Sequence, residues 1–183
     1  TGDSEPQVDS PVLAITEIGS TIFVGGKFSQ VVQGASGTPQ AQPYLAAFDR
    51  DTGNWISTFR PALDGTVWDL APTPDGRLIV AGQFTNVNGA ARTAAIAVLD
   101  PATGAVVPDW SVQLASTGTS ARTLVRGIDV EGSWIYWVGN VTQATGPSGV
   151  LRKLARAGRF SAVTGEPDVA FRPNIDGGYG TKV

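Results

Sequence analysis

Three passages of this 183-residue chain carry the same marks in the same order, the first mark recurring at 56 to 57 residues, and that repetition constrains the fold more than any other feature. The first mark is Gly25-Gly26-Lys27-Phe28-Ser29-Gln30-Val31. It returns as Ala81-Gly82-Gln83-Phe84-Thr85-Asn86-Val87 and, weakened, as Val138-Gly139-Asn140-Val141-Thr142-Gln143-Ala144. The second is Phe48-Asp49-Arg50-Asp51-Thr52-Gly53, then Leu99-Asp100-Pro101-Ala102-Thr103-Gly104, then Phe160-Ser161-Ala162-Val163-Thr164-Gly165. The third closes two of the units, as Phe59-Arg60-Pro61-Ala62-Leu63-Asp64-Gly65 and Phe171-Arg172-Pro173-Asn174-Ile175-Asp176-Gly177. A repeat of this length built from strand-like runs is the signature of stacked copies of one unit, each burying its apolar faces against its neighbours.

The second unit shows the internal pattern most clearly, as four short apolar runs at Thr66 to Ala71, Arg77 to Gly82, Ala94 to Leu99 and Ala105 to Val112. Pro72-Thr73-Pro74-Asp75-Gly76 separates the first two and Asp100-Pro101-Ala102-Thr103-Gly104 the last two; both are turn signals, since Pro presets one torsion and Gly tolerates positive φ. Four antiparallel strands per unit make a propeller blade. The expected fold is therefore all-β, a β-propeller of four-stranded antiparallel blades with three blades present and the ring incomplete. Residues 1–11 read as a polar leader, 12–65, 66–121 and 122–177 as the blades, and 178–183 as the start of a fourth. Gly and Pro occupy 23 and 12 positions and charged residues only 16%, a profile of many short strands joined by turns rather than of helices.

A net charge of -3 argues against a nucleic-acid partner, which needs a basic face to displace counterions. Arg152, Lys153, Arg156 and Arg159 are a local exception that reads as a solvated strand and turn. No run of 18 apolar residues exists, so no membrane-spanning helix is expected. The chain has neither His nor Cys, which removes the Ser-His-Asp triad, the thiol nucleophile and the usual zinc ligands. It also has no Met and opens on Thr1-Gly2-Asp3-Ser4-Glu5, which reads as a processed or trimmed start. Removal of a signal peptide would make the protein an exported one.

By propeller convention the first strand of each unit lines the central channel. That places Leu13, Trp68 and Arg126 at equivalent positions, followed by Ala14, Asp69 and Gly127. Trp68, Asp69 and Arg126 are the candidate binding residues, because an aromatic beside a carboxylate at a channel mouth suits sugar rings or cationic groups. No catalytic or metal-ligating set and no cofactor is expected. Asp69, Asp129 and Glu131 are the carboxylates nearest the channel, but glycoside hydrolysis needs two carboxyls facing each other across the sugar, and Glu131-Gly132 looks like a hairpin turn. Asp49-Arg50-Asp51-Thr52-Gly53 has the spacing of some calcium loops. Its counterparts lose the second carboxylate and keep Thr-Gly, so a turn whose Asp bonds nearby amides is the better reading. Trp55 and Trp110 fall at roughly matching places in the last strand of their units, while Trp134, Tyr136 and Trp137 form a bulky strand assigned to packing between blades. Asn140-Val141-Thr142 fits the N-glycosylation pattern, which is silent in a bacterial protein.

The stretch from Val67 to Trp110, with the Phe-Arg-Pro and Asp-Gly closure, resembles the bacterial delta-sixty-type β-propeller repeat of large exported and cell-surface proteins. The resemblance covers residues 12 to 177, although the third unit has Val141 where the Phe is expected and Ser161 where the Asp is expected. It implies an extracellular or cell-surface module that presents loops to a protein or polysaccharide partner, with no catalytic set to carry over. A glycan-active hydrolase or lyase, or a structural component of a surface layer, fibre or virion, is the alternative. Closed propellers have at least four blades. The remaining blades are expected from further chain or from a second copy that completes a six-bladed ring.

Overall fold

The structure, a computed structural model, describes residues 11–33, 37–117 and 122–173. These residues form an all-β fold of antiparallel sheets without a helix. The expected leader lies outside the described residues except for Pro11, and the expected fourth-unit start at 178–183 lies outside them altogether.

Each repeat builds one three-stranded sheet in the order first, second, third strand. In the first repeat these are β1 (Val12–Ile18), β2 (Thr21–Gly26) and, after the short pair β3 (Gln30–Val31) and β4 (Gln40–Ala41), β5 (Leu45–Asp49). In the second they are β6 (Thr66–Pro72), β7 (Leu78–Gln83) and β8 (Ile96–Leu99). The third follows β9 (Gln113–Ala115) and consists of β10 (Leu124–Glu131), β11 (Trp134–Asn140) and, after β12 (Gln143–Thr145) and β13 (Leu151–Lys153), β14 (Ala157–Ser161). The hairpin at Glu131-Gly132 forms where the sequence placed it, with Gly132 at a φ of 54°. In the second repeat the Thr73 hydroxyl accepts a 2.8 Å bond from Arg77 N across the corresponding turn.

The fourth apolar run does not become a strand. Trp55, Val106 and Pro167 each make one antiparallel bridge, to Phe48, Leu99 and Phe160. The bridge is flanked by backbone bonds such as Asp49 N to Asn54 O at 2.8 Å and Ile56 N to Ala47 O at 2.9 Å. Beyond it the chain leaves the sheet; Pro108 has no N–H to extend the ladder, and Pro167 is tolerated because this is an edge. The register also separates two tryptophans that the sequence paired. Trp55 bridges Phe48, whereas Trp110 lies past the Val106 bridge and matches Phe59: Trp110 N bonds Val107 O at 3.4 Å as Phe59 N bonds Ile56 O at 3.1 Å.

All three first strands carry a register shift at the same point, between Val12 and Ala14, Val67 and Asp69, and Val125 and Gly127. A bulge adds one residue and bends the strand, and it explains the invariant glycine of the first sequence mark. A Cβ on Gly26, Gly82 or Gly139 would overlap the carbonyl oxygen of Pro11, Thr66 or Leu124, which the bulge brings against the second strand. The same three glycines donate to Tyr44 O, Ala95 O and Arg156 O at 2.9, 3.0 and 2.9 Å. Those acceptors are non-glycine residues with φ of 67°, 65° and 64°, the left-handed step that turns the chain into each third strand.

The sheets stack in chain order, with β6 against β1 and β2 on one side and β10 on the other. One core joins Phe23, Leu45 and Ala47 of the first sheet to Val67, Leu78 and Val80 of the second. A second core joins Ile79, Ile96 and Val98 to Val125, Ile135 and Trp137. Leu78 to Ala81 are thus fully buried, apolar on both faces because both faces of β7 meet a neighbour. A further tie runs along the outside. Leu63, from the end of the first repeat, bridges Val87 of the second, and β9, from the end of the second, pairs with β12 of the third beside β13. The first and second repeats therefore each lend a closing segment to the repeat that follows.

Candidate binding site at the first-strand bulges

The bulged residues are Leu13, Trp68 and Arg126. The bend aims each at an equivalent place beside its own sheet, and the stacking of sheets brings the last two into contact. The Arg126 guanidinium lies 4.8 Å from the centre of the Trp68 ring, within cation–π range. Asp69 sits beside them and is fully engaged: one oxygen accepts from Leu70 N at 2.9 Å and the other from Ile128 N in the third repeat at 2.7 Å. Trp68, Asp69 and Arg126 therefore meet at the seam between the second and third sheets. Within that group Asp69 acts as a clip between repeats, and Arg126 is exposed. The buried Trp68 Nε1 has no hydrogen-bond partner among the described residues.

Arg126 also borders a groove of about 400 Å³ whose other lining residues are Leu124, Val138, Gly139, Asn140 and Arg156. Asn140 Nδ2 donates to Arg122 O at 2.8 Å, which fixes the amide at the groove wall. Two guanidiniums on one groove, one of them lying on an indole face, suit a carboxylate or sulfate carried on an otherwise neutral surface. Arg156 joins this site because it occupies the left-handed position at the start of β14. In the sequence it reads only as one of a solvated basic cluster. The signal was its alignment with Tyr44 and Ala95, which emerges once the backbone bonds are known.

Asp49 and Asp100 hold turns. Asp49 Oδ1 accepts from Thr52 N at 2.8 Å and Thr52 Oγ1 at 2.6 Å, and Asp100 repeats the pattern with Thr103 at 2.8 Å for both bonds. These bonds, the threonine hydroxyl first, hold both carboxyls below the ordinary aspartate range. Ser161 makes the same turn with weaker 3.3 Å bonds from Val163 N and Thr164 N. Among the described residues no three His, Cys, Asp or Glu side chains gather as they would around a metal. Asp129 is exposed and accepts from Val130 N at 2.9 Å.

The bulky strand of the third repeat divides between two environments. Trp137 is buried in the core shared with the second sheet and stacks on Phe160 at 5.3 Å. Trp134 and Tyr136 point to the opposite face and pack around a cation instead of a neighbouring sheet. Arg159 lies 4.1 Å from the centre of the Trp134 ring and 5.0 Å from that of Phe171, donates to Tyr136 Oη at 3.0 Å and pairs with Asp168 at 2.6 Å. The basic cluster of the sequence is therefore split, with Arg159 caged, Arg156 at the groove, and Arg152 and Lys153 on β13.

No protein-family model matches the chain, and no curated protein matches it.

Proposed function

We propose that the chain is a run of three blades from a β-propeller of the delta-sixty repeat type, working as an exported extracellular or cell-surface module that binds a protein or polysaccharide partner. One observation carries the reading. The framework around the bulges repeats bond for bond in all three sheets, whereas the side chains displayed there are Leu13, Trp68 and Arg126. A rigid repeated scaffold with a position-specific surface is how repeat proteins build binding faces. The two guanidiniums of the neighbouring groove favour a polymer bearing carboxylates or sulfates, such as an acidic polysaccharide.

The test is a titration of the chain with an acidic and a neutral polysaccharide at two salt concentrations. The reading expects tighter binding of the acidic polymer, weakened at high salt, and at least about tenfold weaker binding for Arg126→Ala. Far-UV circular dichroism of the variant should be unchanged. Equal or absent binding of the two polymers by the folded chain would reject the acidic-polymer reading.

A further inference from the structure

We propose that the uncovered back of the first sheet and the uncovered front of the third are two halves of one interface, completed reciprocally by a second copy of this chain. The inference rests on the propeller reading for its stacking rule and is independent of any polymer bound. Its first support is equivalence of position. Val12 is 53% exposed, while its counterparts Val67 and Val125 are fully buried against the preceding sheet. Ile15 is 67% exposed, and its counterpart Leu70 is buried. On the front of the third sheet Val138 is 51% exposed, where Ala81 is fully buried. Each half therefore presents the apolar chemistry that the chain uses internally to join one repeat to the next.

The fit extends to volume and charge. At the internal seams the front-face neighbours are Ala14 with Gly25 and Asp69 with Ala81; at the open front they are Gly127 with Val138. Gly127 leaves room for Val138, whose Cγ2 would lie 3.3 Å from a Cβ added there. Bulk removed at one position is thus returned at the other. Arg159 brings no unpaired charge into the contact, since Asp168 and Tyr136 already bind it. Among the described residues, 11–65 hold four Asp and Glu against three Lys and Arg, and 122–173 hold four against seven, so the two ends carry net charge of opposite sign.

A seat for the exchanged segment is present as well. Leu63 lies against Phe84 and Val87 of the next repeat, and Leu114 lies with Val141 and Ala144. The matching place in the first repeat is an open groove of about 140 Å³ lined by Phe28, Val31 and Val32 among others. The chain carries one more closing segment of this pattern, Phe171-Arg172-Pro173-Asn174-Ile175-Asp176-Gly177, in which Ile175 holds the place of Leu63 and Asp176 that of Asp64. From Asn174 on, that segment lies outside the described residues. Seating it in the groove of a second copy, and receiving the same in return, would join six repeats through two identical contacts.

Sedimentation of the chain with two variants tests this. Ile15→Asp damages only the back half and Val138→Asp only the front half, and both positions are exposed, so the single chain should still fold. The native chain is expected at twice 18.9 kDa. Each variant alone should associate at least about tenfold more weakly, and an equimolar mixture should recover dimer through the one intact pair of halves. A monomer with an unchanged β-sheet spectrum overturns the pairing while leaving the propeller reading in place. A dimer that neither substitution weakens, or variants that do not complement each other, overturns it too.

Discussion

At the scale of single residues, the repeat is held by positions where the backbone leaves no alternative. Gly82 is one, because the bulge at Trp68 presses Thr66 O and the Val67 Cα against it. Gly82→Ala should cost about 3 kcal/mol or more in urea unfolding, since backbone rather than a flexible side chain must yield. Gly149→Ala is the control: its φ of 74° strains alanine but the space around it is open, so about 1 kcal/mol is expected. Asp64 is another such position. Its carboxylate accepts from Thr85 N at 2.7 Å, from Asn86 N at 3.1 Å and from the Thr85 hydroxyl, tying the first repeat to the second. Burial opposes its ionisation, yet these bonds hold its carboxyl below the ordinary value, and the carboxyls of Asp49, Asp100 and Asp168 are lowered too. A group whose pKa falls on folding stabilises the protein above its unfolded value and loses that contribution as protons bind the folded form. Stability measured by urea midpoint should therefore be level with respect to these groups above about pH 5 and decline below about pH 4. Asp64→Asn should make that decline shallower while lowering stability at pH 7 by about 1 kcal/mol.

At the scale of elements, the exchanged segments set the order in which repeats depend on each other. β9 belongs to the second repeat by sequence and to the third by hydrogen bonding, through Gln113 to Ala115 opposite Thr145 to Gln143. Leu114 is its buried anchor. Leu114→Ala should destabilise the chain by about 2 to 4 kcal/mol, and hydrogen exchange should show the loss first at the amides of Gln143 to Thr145. If protection there is unchanged while β10 and β11 loosen, the exchanged strand is not what orders the outer layer. The missing fourth strands belong to the same scale. The segments at Trp55 and Val106 read as last strands, but each makes a single bridge at an edge, with Pro108 ending the second, and hydropathy alone carries no information on whether an edge is paired.

At the scale of the whole molecule, the stacking leaves, among the described residues, one apolar back and one apolar front. The second sheet has neither, since both of its faces are covered. Large side chains contribute about 1.5 to 3 kcal/mol each when buried, so covering Val12, Ile15 and Val138 should matter against a total stability of about 5 to 15 kcal/mol. The chain should accordingly show a thermal midpoint that rises with protein concentration, as folding linked to self-association requires. A midpoint independent of concentration would mean that these faces stay open.

Much of this architecture was legible in the sequence because repetition turns one ambiguous pattern into three aligned ones. The 56 to 57 residue period, the Gly of the first mark and the Thr-Gly of the second all correspond to repeated backbone geometry: the bulge contact at Gly82, the hydrogen-bonded turn at Thr103 and the apolar β7. The alignment of Leu13, Trp68 and Arg126 was likewise legible, since they share a place in the repeat. Contact between them was not. Whether Arg126 lies on Trp68, whether Asp69 faces solvent or an amide of the next repeat, whether Trp134 packs under a sheet or under Arg159, and which closing segment pairs with which sheet are all decided by how equivalent sheets stack. A sequence repeat specifies what each unit is made of; the contacts between units arise from side chains more than fifty positions apart, and only the tertiary structure brings them together.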